Sequence, residues 1–271
     1  MNSYKIGFIG IGKMGQAIAH GLISHNIFAK ENIFFYDTNK SQIDSINKSL
    51  KITFLPLADL VSTIDILLIA VKPQNIDELL KQFPEIELKS KLIISILAGT
   101  KIQKFESLLG ESTQIIRVMP NTPILLKHGM CAISYNKNVT EEYKQIAKLI
   151  FQNLSEIEEL EETLLDAVTG ISGSGPAFIY RLAEDIAQLG KEQGLPYETA
   201  LKLIAQTFVG AGKMLLHGTK SPKELIADVS SPNGTTLAGL NYFDTTTIDQ
   251  EIKEVFNKAI VRSKELANEV K

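Results

Sequence analysis

"FIGIGKMGQAIAHGL", residues 8–22, places three glycines directly after a short apolar run and at the start of a helix-like pattern. Gly10, Gly12 and Gly15 spell G-x-G-x-x-G, the spacing of a dinucleotide-binding turn. In that turn the first glycine permits a tight bend, the second lets a pyrophosphate approach the backbone, and the third lets helix and strand pack closely. The amides at the helix N-terminus then bind the anion. The stretch predicts a Rossmann-type domain; the alternative is a glycine turn in some other α/β fold.

Short β-branched runs recur through the first half of the chain, separated by helix-like segments. They read "KIGFI", "NIFFYD", "KITFL", "IDILLIAV", "KLIISIL", "QIIRVM" and "CAISY". This alternation is typical of βαβ units. Several runs are apolar at consecutive positions, as in strands buried on both faces of a parallel sheet. We therefore expect an α/β protein with an N-terminal Rossmann-type parallel sheet domain over residues 1–160.

Asp37 follows the second predicted strand, about 20 residues beyond the glycine turn, where an acidic side chain hydrogen-bonds the adenosine ribose and repels a 2′-phosphate. This interpretation favours NADH over NADPH. The alternative is that Asp37 caps the turn "DTNK", which leaves Asn39 and Lys40 free to meet a phosphate. The sequence leaves both open, so the expected cofactor is NADPH or NADH.

Two further strand ends are candidates for the cofactor side of the sheet. "AVKPQ" (70–74) and "RVMPNTP" (117–123) follow predicted strands, and open α/β sheets bind ligands beyond the carboxyl ends of their strands. The alternative is a pair of proline-stiffened loops with no ligand, because each proline fixes a backbone angle.

The alternation of predicted strands and helices ends after about Leu160, and patterns typical of long helices follow. Apolar side chains recur at helical spacing from Phe178 and again from Leu203, and a third helix is predicted from Ile248 to Glu269. We expect an all-helical dimerisation and substrate domain over residues 161–271. Helical domains of this size attached to a dinucleotide-binding sheet often bury apolar surface against a second subunit, so we expect a homodimer.

Two polar segments in the helical half look like helix starts: "SGSGP" (172–176) and "SSPNGTT" (230–236). Each could bind an anion through backbone amides, although ordinary capping by Ser174 or Thr235 is the alternative. Two such starts beside a predicted phosphate cradle favour a helical domain that holds an anionic substrate near the nicotinamide.

The composition argues against other kinds of partner and chemistry. The net charge is −3 and Lys and Arg do not cluster, so we expect no nucleic acid and no membrane partner. Cys131 is the only cysteine, which excludes an intrachain disulfide and favours a cytoplasmic location. The four histidines have no metal-ligand spacing, so no metal is expected. Scarcity of acid/base groups favours reduction of an imine, which needs mainly orientation and one hydroxyl, such as that of Thr236.

Taken together, "FIGIGKMG", "AVKPQ", "MPNTP", "GISGSGPAF" and above all "DVSSPNGTT" resemble the pyrroline-5-carboxylate reductase family. The resemblance runs essentially end to end. It implies NAD(P)H-dependent reduction of 1-pyrroline-5-carboxylate to L-proline, the last step of proline biosynthesis. It also implies a substrate site shared between subunits of a homodimer, and dimers that assemble further into a decamer, a pentamer of dimers.

The resemblance also implies roles for individual residues. Thr236 is the expected catalytic residue, its hydroxyl facing the ring nitrogen, and the family usually has glycine where Asn233 stands. The expected substrate-binding residues are Ser231, Gly234, Thr235, Thr236, Ser174 and Gly175. The expected cofactor-binding residues are Ile9, Gly10, Ile11, Gly12, Lys13, Met14, Gly15, Asp37, Ala70, Val71, Lys72, Pro73, Ile96, Leu97, Ala98 and Asn121.

Two other functions are alternatives to an imine reductase. A β-hydroxyacid dehydrogenase shares the domain plan, but its lysine is missing from the first turns of "GPAFIYRLAED". A nucleotide-binding regulatory protein without catalysis would not need Thr236 or the two polar segments.

Overall fold

A computed structural model describes residues 4–83, 88 and 90–269. The internal contacts group the chain into two units. The first unit comprises the chain up to Ser174 together with the segment from Lys258 onward, and the helical unit is Gly175–Asn257. The contacts thus divide the chain after Ser174, and the boundary expected between residues 160 and 161 stays a prediction.

The first unit contains one sheet, which over the described residues has eight strands in the order β3-β2-β1-β4-β5-β6-β7-β8. The strands are β1 Ile6–Ile9, β2 Ile33–Tyr36, β3 Thr53–Phe54, β4 Ile66–Ile69, β5 Leu92–Ser95, β6 Gln114–Pro120, β7 Gly129–Tyr135 and β8 Ser155–Glu159. β1 to β6 pair in parallel, whereas β7 is antiparallel to β6 and parallel to β8. The expected sheet is confirmed; β8 was not predicted.

Among the described residues up to Ser174, seven α-helices lie between or after these strands. They are α1 Lys13–Ser24, α2 Lys40–Ser49, α3 Leu57–Thr63, α4 Ile76–Leu80, α5 Ile102–Leu109, α6 Glu141–Phe151 and α7 Leu165–Val168. Successive strand residues such as Phe8 and Ile9 belong to two separate apolar clusters. The sheet is therefore buried on both faces, as the consecutive apolar positions predict.

The remaining helices are α8 Gly175–Glu192, α9 Tyr197–His217, α10 Pro222–Asp228, α11 Thr235–Thr245 and α12 Ile248–Glu269. The helical second half is confirmed, and α12 has the predicted bounds. Within the helical unit, a Cβ added at Gly190 would lie 2.6 Å from Ala200 Cβ, so α8 and α9 approach closely. Phe178 and Phe256 make an edge-to-face ring contact with centroids 5.0 Å apart.

The last turns of α12 pack within the first unit. The Ser263 hydroxyl donates to Asp166 Oδ1 at 2.7 Å, and both side chains are buried. Gly99 has φ 68°, and a Cβ there would lie 2.9 Å from Leu266 Cβ. Residues that are distant in the sequence thus complete the packing beside β5. Within the described ranges, no helix is both long and apolar enough to cross a membrane.

Candidate active site

The glycine turn after β1 has the geometry that its spacing predicts. Gly10 has φ 79°, and a Cβ there would lie 2.9 Å from the Ala70 carbonyl carbon and oxygen. A Cβ at Gly15 would lie 3.0 Å from the Gly10 carbonyl oxygen, so α1 packs tightly on the turn. Gly12 faces open space, with nothing within 4 Å of an added Cβ, and no side chain caps the helix start there. This open cradle of amides fits a pyrophosphate.

Asp37 binds the glycine turn directly. Its Oδ2 accepts a hydrogen bond from the Ile11 amide at 2.9 Å, and its Oδ1 accepts one from the Asn39 amide at 2.9 Å. The Asn39 side chain in turn accepts from the amides of Ser41 and Gln42 and caps α2. Asp37 is thus a turn cap, and Asn39 is engaged rather than free to meet a phosphate. Lys40 remains exposed.

Two glutamines that were not predicted hold the same turn from the other side. Gln16 and Gln42 donate to the Ile11 carbonyl through Nε2, at 3.0 and 2.8 Å. Because Asp37 accepts from the Ile11 amide, both backbone polar groups of Ile11 are hydrogen-bonded. These bonds fix the two peptide groups that join Ile11 to Gly10 and to Gly12. No local sequence pattern marks these glutamines, because each acts across a loop.

A cavity of about 540 Å³ opens over the carboxyl ends of β1, β2 and β4. Its lining residues are Ile9, Gly10, Gly12, Tyr36, Asp37, Thr38, Asn39, Gln42, Ala70, Val71, Lys72, Asn75, Glu78, Leu79 and Gln82. Seven of the predicted cofactor residues meet here: Ile9, Gly10, Gly12, Asp37, Ala70, Val71 and Lys72. The cavity lies where the strand order switches, the usual ligand position in such sheets.

A second cavity, of about 260 Å³, shares Ala70 and Val71 with the first. Its other lining residues are Met14, Ile96, Met119, Pro120, Asn121, Thr122 and Gly173. It brings three more predicted residues together: Met14, Ile96 and Asn121. The shared wall makes the two cavities neighbours, and the smaller one is mainly apolar, as a site for a nicotinamide ring requires.

Six predicted cofactor residues line neither cavity: Ile11, Lys13, Gly15, Pro73, Leu97 and Ala98. The Ile11 and Leu97 side chains lie in the apolar core. Ile11 and Gly15 help to fix the glycine turn through their backbone contacts, and direct contact with a cofactor stays a prediction for all six.

Asn121 connects the smaller cavity to the segment that carries "SGSGP". Its Oδ1 accepts from the Met130 amide at 2.8 Å, and its Nδ2 donates to Ser172 at the carbonyl and the hydroxyl. A Cβ at Gly173 would collide with the Met119 methyl. The asparagine therefore fixes a turn of backbone against the end of β6.

The "SGSGP" segment differs from a free helix start. Residues Thr169–Gly173 form a π-helical turn directly after α7, and the Ser174 amide donates to the Thr169 carbonyl at 2.8 Å. The Ser174 amide is thus already bonded within this turn and is not free to bind an anion. Periodicity could not reveal this, because the turn depends on its contacts with Met119 and Asn121.

A charge network with buried Arg117 and Asp166 and partly exposed Glu162 lies beside α7, the helix that leads into the same turn. Arg117, on β6, donates to Glu162 Oε1 at 3.1 Å and lies 3.8 Å from Asp166 Oδ1. Glu162 also accepts from the Ile102 amide at 2.7 Å, and Asp166 from Ser263. Because each carboxylate has a second donor, the ion pairs are compensated in spite of their burial.

The "SSPNGTT" segment forms an open helix start in the helical unit. Asn233 adopts a left-handed conformation with φ 58°, as its tolerance of unusual backbone angles suggested. The Gly234 amide donates to the Ser231 carbonyl at 3.0 Å, and a Cβ at Gly234 would collide with the Ser231 hydroxyl. Gly234 is the N-cap of α11, with no side-chain cap, so the Thr235 and Thr236 amides begin the helix exposed.

Within residues 4–83, 88 and 90–269, no group of three or more His, Cys, Asp or Glu side chains could hold a metal ion. Burial raises the pKa of the Cys131 thiol to about 12, so this buried cysteine stays protonated and unreactive at neutral pH.

Comparison with known proteins identifies the family. The description "Pyrroline-5-carboxylate reductase dimerisation" matches residues 162–266, and "NADP oxidoreductase coenzyme F420-dependent" matches residues 5–99. The pyrroline-5-carboxylate reductase of Methanosarcina acetivorans is 37% identical over 271 residues, covering 100% of this chain and 99% of the relative. The chain belongs to the pyrroline-5-carboxylate reductase family.

Other members of the pyrroline-5-carboxylate reductase family agree over nearly the whole length. The Arabidopsis thaliana enzyme is 34% identical over 98% of this chain and 96% of its own. The crystal structure of Plasmodium falciparum pyrroline carboxylate reductase with NADP bound has a TM-score of 0.89 at 33% identity, covering 98% of this chain and 99% of that one. The family therefore extends over both units of the fold.

Proposed function

We propose that this chain reduces the C=N bond of 1-pyrroline-5-carboxylate to give L-proline, with NADPH or NADH as the hydride donor. The observation that carries the proposal is the open helix start at "SSPNGTT", where Asn233 is left-handed and α11 begins with exposed amides. A carboxylate is the kind of anion that such a helix start binds. Membership of the family and the cradle at Gly12 support the same function.

The substrate carboxylate is assigned to the amides of Thr235 and Thr236. The Gly234 amide is bonded to the Ser231 carbonyl, so Gly234 and Ser231 are assigned to the turn that holds these two amides in place. Gly234 has no room for a side chain, because Ser231 occupies the space where a Cβ would lie. The helix macrodipole adds to the attraction, since the N-terminus of α11 carries partial positive charge. Ser174 and Gly175 are assigned to the substrate side as well, with Ser174 acting through its hydroxyl because its amide is bonded to Thr169.

The nucleotide is assigned to the first unit. Gly12 and the first amides of α1 hold the pyrophosphate, and the residues of the larger cavity hold the adenosine part. The smaller cavity, with Met14, Ile96 and Asn121, holds the nicotinamide. The bound cofactor supplies the hydride that adds to the carbon of the C=N bond.

The chain itself has little proton chemistry to perform. A protonated imine already carries the positive charge that attracts hydride, so binding and orientation provide most of the rate enhancement. Thr236 is exposed in the first turn of α11, and its hydroxyl is assigned to hydrogen-bond the ring nitrogen and to hold it as proline forms. This role explains why the function needs no histidine or metal.

The proposal includes an assembly and a location. The dimerisation match and the apolar surface of the helical unit support a homo-oligomer built from dimers. Association of these dimers into a decamer, a cytoplasmic location, and the lack of nucleic-acid or membrane partners complete the proposal.

The test is oxidation of NADH and, separately, of NADPH on addition of 1-pyrroline-5-carboxylate, with a control that lacks the imine. Substrate-dependent oxidation is expected with at least one cofactor. Thr236→Ala should lower kcat by about 100-fold, the size expected when one hydrogen-bond donor that positions the reacting group is lost, while cofactor binding is retained. Thr236→Ser, which keeps the hydroxyl, is the matched control and should retain most of the turnover. Unchanged turnover in Thr236→Ala would remove this residue from the mechanism.

A further inference from the structure

The wall around Asp37 bears on which of the two nucleotides the chain binds. Each carboxylate oxygen of Asp37 accepts one backbone amide, from Ile11 and from Asn39. A carboxylate offers about four acceptor sites, so roughly two remain for hydroxyl donors. Asp37 lines the larger cavity, where the adenosine ribose is assigned. Turn capping and ribose binding, which the sequence leaves as alternatives, are therefore compatible in one side chain.

The N-terminus of α2, directly after Asp37, is closed to an anion. The Asn39 side chain accepts from the Ser41 amide at 3.1 Å and from the Gln42 amide at 3.4 Å. These are the amides that a phosphate beyond β2 would use, because the first amides of a helix lack partners within it. A 2′-phosphate would have to displace the asparagine cap to reach them.

The charges that line the larger cavity also disfavour a phosphate. Among the described lining residues, Asp37 and Glu78 are acidic and Lys72 is basic. Lys40 lies in the first turn of α2, exposed, and is not part of the lining. A 2′-phosphate beside Asp37 would bring like charges together without an arginine fork to compensate them.

We propose that Asp37, held by the Ile11 and Asn39 amides, and the Asn39 cap of α2 together select the unphosphorylated ribose, so that NADH is the preferred cofactor of this chain. The inference rests on the proposed function, since it concerns the hydride donor of the same reaction. It narrows the hydride donor of that function from NADPH or NADH to NADH.

The first test is equilibrium binding to the native protein without imine. NADH and NADPH are titrated by nicotinamide fluorescence, and ADP-ribose and its 2′-phosphate by calorimetry. The nucleotide without the 2′-phosphate should bind at least about tenfold more tightly in each pair, the size expected from charged hydrogen bonds. Because the second pair has no nicotinamide and differs only in the 2′-phosphate, its affinity ratio reports on the Asp37 region without a contribution from the nicotinamide site.

Substitutions assign the preference to the named side chains. Asp37→Asn should reduce the NADH:NADPH affinity ratio by about tenfold or more, since it removes the charge and one acceptor. Asn39→Ala should shift the ratio the same way by a smaller factor, because it reopens the α2 amides. Asp44→Asn is the control; it removes an exposed charge from α2 outside the cavity lining and should leave the ratio unchanged.

The outcomes separate the inference from the function. NADPH binding equal to or tighter than NADH in the native protein overturns the inference, while imine-dependent oxidation of NADPH would keep the reductase assignment intact. A ratio that Asp37→Asn leaves unchanged in folded protein removes Asp37 from the selection. If that variant does not fold, the native titrations and Asn39→Ala still decide. If none of the four nucleotides binds, the reductase function and the inference are refuted together.

Discussion

The first unit and the helical unit bury their apolar side chains very differently. In the first unit, large rings such as Phe8, Phe35 and Phe105 are inaccessible to solvent. In the helical unit, the buried apolar residues among those described are Ala183, Ala187 and Ala200. Large side chains there stay exposed, including Leu203 at 57% and Leu216 at 73%.

The difference shows which part of the chain has a core of its own. Two apolar clusters flank the sheet, so the first unit can stabilise itself. The helical unit leaves many large apolar side chains exposed, as surfaces that associate with another protein do. We therefore expect a second chain to cover these side chains and to stabilise the helical unit, in agreement with the dimerisation match.

Truncation of an aromatic side chain should destabilise the first unit much more than the helical unit. We predict that Phe8→Ala lowers the free energy of unfolding by about 3–5 kcal/mol, because it leaves a cavity in a closed core. Phe243→Ala removes the same ring from an exposed site in the helical unit and is the matched control. Urea titration followed by reactivity of the buried Cys131 thiol would report on the first unit alone. Equal losses in the two variants would show that both units share one core.

A charge on the exposed helical surface should affect association next most strongly. We predict that Leu203→Glu raises the dissociation constant of the dimer by about 100-fold, because it buries an unpaired carboxylate. Gln193→Glu adds the same charge in the turn after α8 and should have little effect. Sedimentation velocity over a concentration series would measure both. An unchanged dimer in Leu203→Glu would place the interface elsewhere.

The pH dependence of the free energy of unfolding that arises from Cys131 should be the smallest of these effects. It tests the burial of the first unit's core by a second route. The pKa of this thiol is raised to about 12 by burial, from an ordinary value of 9.0. Its contribution to stability is complete below about pH 9 and is lost as the pH rises toward 12, because the unfolded chain releases the proton first. We predict that the first unit loses up to about 1.4 kcal/mol per pH unit in that interval.

Cys131→Ala should lack this alkaline loss and serves as the control. Urea titrations at pH 8, 9 and 10, followed by circular dichroism, would compare the two proteins. Parallel curves across this range would mean that the thiol is accessible in the folded state.

Local steric rules made much of the fold predictable. The glycine turn, β1 and α1 follow from Gly10 and Gly15, because their backbone leaves no room for a side chain. The bounds of α12 follow from helical periodicity, and the left-handed Asn233 follows from the backbone tolerance of asparagine. Each of these depends on neighbours in the sequence or on a single residue type.

Features that depend on distant partners were not predictable in the same way. β8 contains three glutamates and one apolar residue, Ile157, and it becomes a strand because β7 offers a free edge. The π-helical turn before α8 depends on Asn121 and Met119, about 50 residues earlier. For Asp37 the spacing identified the residue, whereas its bond to the Ile11 amide needed the tertiary structure.

The return of α12 to the first unit has a consequence for protein synthesis. A ribosome completes the sheet strands before the helical unit, and the segment from Lys258 emerges only after that unit. At about 5–20 residues per second, the delay is roughly 4–17 seconds. During that interval Gly99 and Asp166 of the nascent chain lack Leu266 and Ser263, their partners in the finished fold. The part of the chain made first is therefore completed by one of the segments made last.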